Sequence, residues 1–343
     1  MTQTAPHTQT RAIVAATTGF LNSLSEVQRE QVQFTFSPDD SATVARFPRG
    51  RMTFVGEQYG QAVWSNFPIS DVPRPGLTLG SLSVAQHDAA MHVLQALLSP
   101  EGYQKVLDIM DSDQVLSESG TPYAAGTANY TLGIFGTPGA NTPWMLQFGG
   151  HHLALNAVVA GADVSLTPML AGNQPTTFVR DGRTVRPLGN ENDKAFKLMN
   201  ALNIGAREKA TLKYQIENLV LGPGEAGRIL PPEGLCASKM TEVQRLMLLD
   251  LITEWVGILN PDDAIPKLAQ IRANLDRTYF AWHGNTTNPS PVYFRITGPS
   301  VHIEFAHQQV RSRATGVQAG GVNHVHTVYR DPTNEYGQRF TTK

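Results

Sequence analysis

The sequence predicts an α+β fold: helical middle segments packed with a mainly antiparallel sheet, in one integrated domain. Three observations predict it. Apolar residues recur at helical spacing through the middle of the chain, as at Leu246, Leu249, Ile252, Val256 and Leu259. Short alternating stretches punctuated by glycine turns occupy residues 130–185 and 278–330. The chain has 343 residues, 41% of them hydrophobic and only 16% charged. About 25% charged is usual, so this chain is built to bury a core and is too apolar to be disordered throughout.

Residues 1–11 read as a flexible polar N-terminus and 12–340 as the domain. The stretch from Ala16 to Phe36 reads as a helix carrying Phe20, Leu21, Leu24 and Val27, closed by Pro38. Val63 to Ser83 is an aromatic, proline-rich ordered loop, because Trp64 and Phe67 need something to pack against. Ser83 caps a helix from Val84 to Leu98, Pro100 ends it, and Glu101 begins another. Trp144 to Gly161 reads as strand, glycine turn and strand, with a further strand at Val164–Leu170. Asp181-Gly182 sits between apolar runs and signals a hairpin. Glu191–Asn203 and Ala206–Leu219 read as helices, and Gly222–Gly234 as a loop. Thr241 caps a long helix that stops at Asn260-Pro261, and Ala264–Asp276 forms the next. Four strands follow, from Thr278, Pro291, Val301 and His324.

One internal similarity stands out. Ser23–Val32 (SLSEVQREQV) resembles Lys239–Leu248 (KMTEVQRLML), and Ser81–Ala90 (SLSVAQHDAA) is a weaker third copy. Capped helix starts also recur by chance, so function is not read from it.

Composition excludes several classes. The formal net charge is -2, from 27 basic and 29 acidic side chains, which gives no pull toward nucleic acid or an anionic membrane. Cys236 is the single cysteine, so neither an intramolecular disulfide nor a multi-thiolate zinc site can form. No stretch approaches the roughly 20 apolar residues of a membrane span. Together with the lack of a signal-peptide pattern, this leads us to expect a cytoplasmic protein. There is no GxGxxG before an early helix, no P-loop, no GxSxG and no HExxH.

The histidines carry the chemical signal. His324 and His326 are two apart on a strand, so both imidazoles face the same side. His302 and Glu304 share that spacing. Two neighbouring strands then bring three or more nitrogen and oxygen donors to one ion: zinc first, with iron, manganese or copper as alternatives. The competing reading is ordinary polar faces of half-buried strands. His307 has the opposite parity and faces away unless a bulge intervenes. His151 and His152 follow Gly149-Gly150, where one ring can face the site and the other hold a carboxylate or carbonyl. We therefore take His151, His152, His302, His324 and His326 as candidate metal ligands. Candidate catalytic residues are Glu304, His283, Arg330 and Asp331. Glu304 and His283 would move protons, and Arg330 would clamp an anionic substrate unless it serves a structural pair with Asp331.

The ordered set of motifs resembles the DUF3500 family of uncharacterised bacterial and fungal proteins. It comprises FGGHHLALN at 148–156, Thr167-Pro168, Gly172-Asn-Gln-Pro175, EVQR at 242–245 and FAWHG at 280–284. Ile303-Glu304, His324-x-His326, Arg330-Asp331 and Tyr336-Gly337 complete it. The resemblance spans about Gly19 to Gly337, implies one integrated unit and names no reaction.

The expected function is a metal-dependent enzyme acting on a small organic substrate, by water activation for hydrolysis. The alternatives are a metal-dependent oxidoreductase or oxygenase, and a non-catalytic small-molecule binding protein with Trp64, Trp144 and Trp282 lining its pocket. The sequence does not determine oligomeric partners.

Overall fold

The computed structural model describes residues 8–121, 126–311 and 318–341. A twelve-stranded sheet forms the centre. Strands Thr131–Phe135, Trp144–Gly149, Leu153–Ala160 and Met169–Asn173 lie side by side in that order. Gln318–Arg330 pairs antiparallel with Met169–Asn173, and Val301–Arg311, Val292–Gly298 and Tyr279–Gly284 follow outward. All pairings among these eight strands are antiparallel. The sheet grows from hairpins, as the alternating sequence and glycine turns require. This is the expected mixed fold, with helices packed against a mostly antiparallel sheet in one domain.

The fold repeats itself. In the first half an edge strand, Leu77–Thr78, leads through a 3-10 turn into helix Val84–Leu97, then Pro100–Glu118, then four main strands with the short Asp163–Ser165 before the last. The second half repeats that order with Leu235–Cys236, a 3-10 turn, Glu242–Val256, Pro261–Ala273 and four strands. Ser83 and Thr241 both cap their helices with capping boxes completed by Gln86 and Gln244. Those glutamines also share a second role, since Gln86 Nε2 donates to Ser23 O and Gln244 Nε2 to Ala201 O. Each closes the end of a preceding helix, Thr8–Ser23 or Gly189–Ala201. Ser99-Pro100 and Asn260-Pro261 start the next helices, and the two junctions bind each other: Ser99 N donates to Ile258 O and Asn260 N to Leu97 O. The two halves are thus related by a twofold axis between strands Met169–Asn173 and Gln318–Arg330. The weaker sequence match, at Ser81–Ala90, is the structural counterpart of Lys239–Leu248. Ser25 also carries a capping box. Its helix, Glu26–Val32, instead corresponds to Ile204–Ala210.

Three expected elements differ, one of them the strand expected at Val164–Leu170, which is two, Asp163–Ser165 and Met169–Asn173. The first helix is two, Thr8–Ser23 and Glu26–Val32, because Ser25 turns to extended backbone and caps the second. Residues 8–11, expected in the flexible N-terminus, are its first turn. The helix expected from Ala206 to Leu219 stops at Ala210. There Leu212 N leaves the helix pattern to donate to Trp282 O, and 211–222 runs irregularly over the sheet. Tertiary pairing overrides local propensity here.

The two faces of the sheet are covered differently. Leu146, Phe148, Leu155, Phe294, Ile303 and Phe305 join the helices in the main core. The opposite face is covered by a small sheet (Thr43–Arg49, Met52–Tyr59, Ala62–Trp64) and by the 211–222 segment. Trp64 packs there on Ala154, Leu170 and Val328. Trp64, Trp144 and Trp282 are all buried core residues, which corrects their expected place on a pocket wall.

Arg330 fastens this cover. Its Nη2 donates to Glu57 Oε2 at 2.6 Å and to Gly222 O, its Nη1 to Glu335 Oε1 at 2.7 Å, and its Nε to Leu221 O. Replacing Arg330 with Met strands the buried carboxylates of Glu57 and Glu335. A loss of about 3–5 kcal/mol of unfolding free energy is expected, read by urea denaturation; a loss under about 1 kcal/mol would show that the pair does not hold the cover.

Candidate metal centre

Register places the site. Ala306 lies opposite His326, Glu304 opposite Val328 and His302 opposite Arg330. Gly172 lies opposite His326 on the other side. His302, Glu304, His324, His326 and Arg330 therefore share the covered face, as the strand parity predicts. His307 faces the other way, and the register shifts just beyond it. His151 and His152 form the bend between strands Trp144–Gly149 and Leu153–Ala160, and Gly172 N donates to His152 O at 2.7 Å.

Three imidazoles converge. His152 Nε2 is 3.0 Å from His324 Nε2, which is 3.1 Å from His326 Nε2. Metal–nitrogen bonds of about 2.1 Å at the tetrahedral angle of zinc separate their nitrogens by about 3.4 Å, within a few tenths of an ångström of these distances. The spacing fits three adjacent ligands of one ion. Gly172 makes room for it: a Cβ there would lie 2.7 Å from Val325 O, 3.0 Å from His326 Cδ2 and 3.2 Å from His152 Cδ2.

Proton accounting points the same way. Asn218 Oδ1 lies 3.1 Å from His326 Nδ1, so Nδ1 carries the proton and Nε2 offers a lone pair. Asn66 Nδ2 is farther from the same nitrogen, at 3.5 Å. His324 Nε2 has one proton or one lone pair to serve two neighbours. It cannot make a full hydrogen bond to both. A cation satisfies all three nitrogens at once. Burial, reinforced by the neighbouring imidazoles, holds His152 and His326 well below the usual histidine pKa. Burial and His151 bring His324 down to about 3. All three are neutral ligands at neutral pH.

Asp113 stands behind the centre. It comes from helix Pro100–Glu118, where it shares the apolar stripe of Ile109, Met110 and Leu116. A carboxylate on such a stripe is the signal that sequence reading overlooks. Asp113 Oδ1 is 3.0 Å from His151 Nδ1 and 4.0 Å from His152 Nδ1. Asp113 Oδ2 and His152 Nδ1 are both buried without a hydrogen-bond partner. When His152 Nε2 ligates, Nδ1 bears a proton and Asp113 is the acceptor beside it. Asp113, His151 and His152 also form a second donor group within 4.8 Å. The rings of His151 and His152 stack at 3.8 Å, however, so their planes do not meet on a common ion.

The other candidates go elsewhere. His302 Nε2 bonds Glu304 Oε1 at 3.0 Å. Glu304 also accepts from Val220 N, Leu221 N and Tyr293 Oη. His302 is level with Arg330, four residues along the strand from His326, roughly 13 Å away. Glu304 is bonded toward it, and this corrects the expected place of both in the metal cage. His151 holds the carboxylate rather than joining the triad. His283 is half-buried opposite Tyr293, three strands from His326, too far for proton transfer at the centre. Arg330 has every N–H engaged by protein acceptors, so it does not clamp a substrate. Asp331 is bonded to Lys267 and to the Thr333 hydroxyl. The glycines before the histidines serve backbone packing: a Cβ at Gly149 would strike Leu153 O at 2.2 Å, and one at Gly150 the Tyr130 ring at 2.9 Å.

The fold and site define a two-half α+β protein with a buried histidine and aspartate cluster, able to coordinate a metal ion, at the seam of its halves. The chain belongs to the DUF3500 family (protein of unknown function), which it matches over residues 6–338. No curated protein and no solved structure matches it. No helix among the described residues is long and apolar enough to cross a membrane.

Two substitutions test the geometry. Asp113→Asn should weaken metal binding about 10–100-fold with the fold retained, measured by competition with a chromophoric chelator. Gly172→Ala should cost about 1–3 kcal/mol and lower metal affinity as well, because the added methyl displaces two ligand rings. Unchanged affinity in both would remove Asp113 and Gly172 from the centre.

Proposed function

We propose that this protein is a metal-dependent enzyme acting on a small organic molecule, with hydrolysis as the reaction. The observation that carries the reading is the convergence of the His152, His324 and His326 Nε2 atoms at 3.0 and 3.1 Å. Three neutral imidazoles suit zinc, which three protein ligands leave with an open coordination position. His152, His324 and His326 would hold a divalent ion, and the chemistry it would supply there is a water of lowered pKa, a nucleophile near neutral pH.

The chain's own groups have definite roles in this reading. His152, His324 and His326 hold the ion. Asn218 keeps His326 in the tautomer that ligates. Asp113 faces His152 Nδ1 at 4.0 Å and would stabilise electrostatically the proton that Nδ1 bears when Nε2 ligates. Arg74 fixes the loop over the histidine bend, donating through Nη2 to the carbonyls of Ser65, Phe67 and Gly150. Asn66, on that loop, is the polar side chain placed to meet a substrate beside His326. His324, the less buried ligand, marks the side from which substrate enters.

The test is elemental analysis of protein purified without a histidine tag or added metal, beside a His324→Ala/His326→Ala variant. Near-stoichiometric zinc, lost in the folded variant, is expected. Iron or copper lost in the same way would move the reading to oxidoreductase chemistry at the same ligands. No metal above background, and no tight uptake of added zinc, iron, manganese or copper, would overturn it.

A further inference from the structure

A cavity of about 690 Å³ lies over the far end of the covered face, beside His302 and Arg330. Its size is that of a small-molecule site. Leu221, Ile229, Leu230, Pro299, Pro332 and Tyr336 give it a largely apolar wall. Ile229 is 74% exposed at this wall. In the first half of the fold, the matching strand turn at Gly149–Gly150 is covered by the loop that Arg74 pins. The second-half turn at Gly298–Ser300 has the cavity beside it instead.

Among the polar groups lining this cavity is the buried His302, whose Nε2 is engaged by Glu304. Glu304 receives Leu221 N and His302 on Oε1, and Val220 N and the Tyr293 hydroxyl on Oε2. Burial alone would raise the Glu304 pKa, but His302, Tyr293 and Val220 outweigh it and the carboxyl lies below its usual value. An ionised carboxylate only accepts, so His302 Nε2 carries the proton. In the neutral imidazole, Nδ1 is then an acceptor. The Thr297 hydroxyl approaches it only at a long 3.4 Å. A donor brought in by a ligand can take that place.

The charged groups along the wall are engaged by the protein itself. Arg330, the buried cation at the wall, has no free N–H. Arg228 pairs with Glu225 at 2.8 Å and Arg277 with Asn274. The carboxylates of Glu335 and Asp276 also line the cavity, the first paired with Arg330 and the second with Arg245. A neutral guest fits better than an acid.

We propose that this cavity is a second small-molecule site, distinct from the metal centre, for a compact apolar compound whose hydroxyl donates to His302 Nδ1. The probe is 2-naphthol, followed by its own fluorescence, with 2-methoxynaphthalene as the partner that cannot donate. Saturable binding of one 2-naphthol per chain is expected, with the methoxy compound weaker by about tenfold, the worth of one hydrogen bond. Ala42→Trp, which fills the cavity from its rim without touching His302, should abolish binding with circular dichroism and metal content unchanged. His302→Phe, where it folds, should make the two probes bind alike. Absence of saturable binding, equal binding of the two probes to the unaltered protein, or binding that survives Ala42→Trp would each overturn the proposal.

Discussion

A buried guanidinium needs an acceptor for every N–H, and Arg330 finds its acceptors on segments far apart in the chain. Glu57 comes from the small sheet, Glu335 from the C-terminal turn, and the carbonyls of Leu221 and Gly222 from the irregular segment between the halves. Burial disfavours the charge, but Glu57 and Glu335 outweigh it and raise the Arg330 pKa. Each partner is engaged in turn. The Tyr336 hydroxyl donates to Glu57 Oε1 at 2.7 Å and accepts from Trp64 Nε1 at 2.9 Å, while Gly224 N donates to Glu57 Oε2. Such a network is costly to leave half satisfied, so the cover docks as a unit or not at all.

That docking positions the metal centre. The segment gripped by Arg330 at Leu221 and Gly222 is also gripped by Glu304 at Val220 and Leu221. Carbonyls bind the cation and amides bind the anion, so a stretch without regular secondary structure is held at both polar edges. Asn218 sits at its start and meets His326. The tautomer of His326 is thereby set with the help of a buried ion network farther along the strand. The centre also depends on the seam between the repeated halves: His152 comes from the first and His324 and His326 from the second. Neither half carries the triad alone.

Period-2 signals are legible in the sequence. His324 and His326 share a face, His302 and Glu304 share the same face, and His307 points away, all as strand parity dictates. The strand blocks and capped helices lie where glycine turns and Ser, Thr or Asn caps place them. Distance along a shared face is not legible, since parity says nothing of how many residues separate two pairs. Parity alone therefore seats Glu304 beside His326. Arg330 reads as a substrate clamp because Glu57 lies in a distant part of the chain. The repeat is visible in fragments, but Glu-Val-Gln-Arg at 242–245 best matches the wrong helix. What the halves share is the role of Gln86 and Gln244, and that role needs only a cap and a glutamine.

The cavity beside His302 and the metal centre are mechanically continuous. From His302 the contacts run to Glu304, then to the amides of Val220 and Leu221, and Asn218 lies two residues before Val220. The hydrogen-bonded links meet on the buried Glu304 carboxylate, each of whose oxygens accepts two donors. No link can yield without leaving a polar atom unpaired, and the penalty for that is about 1–3 kcal/mol. A guest bound at His302 therefore meets a stiff path rather than a loose loop. Any free energy such a guest transmitted to His326 would be returned in equal measure by an ion held there, because coupling between two binding events is reciprocal. The segment that fails to continue as a helix after Ala210 is the part of the chain that touches both sites.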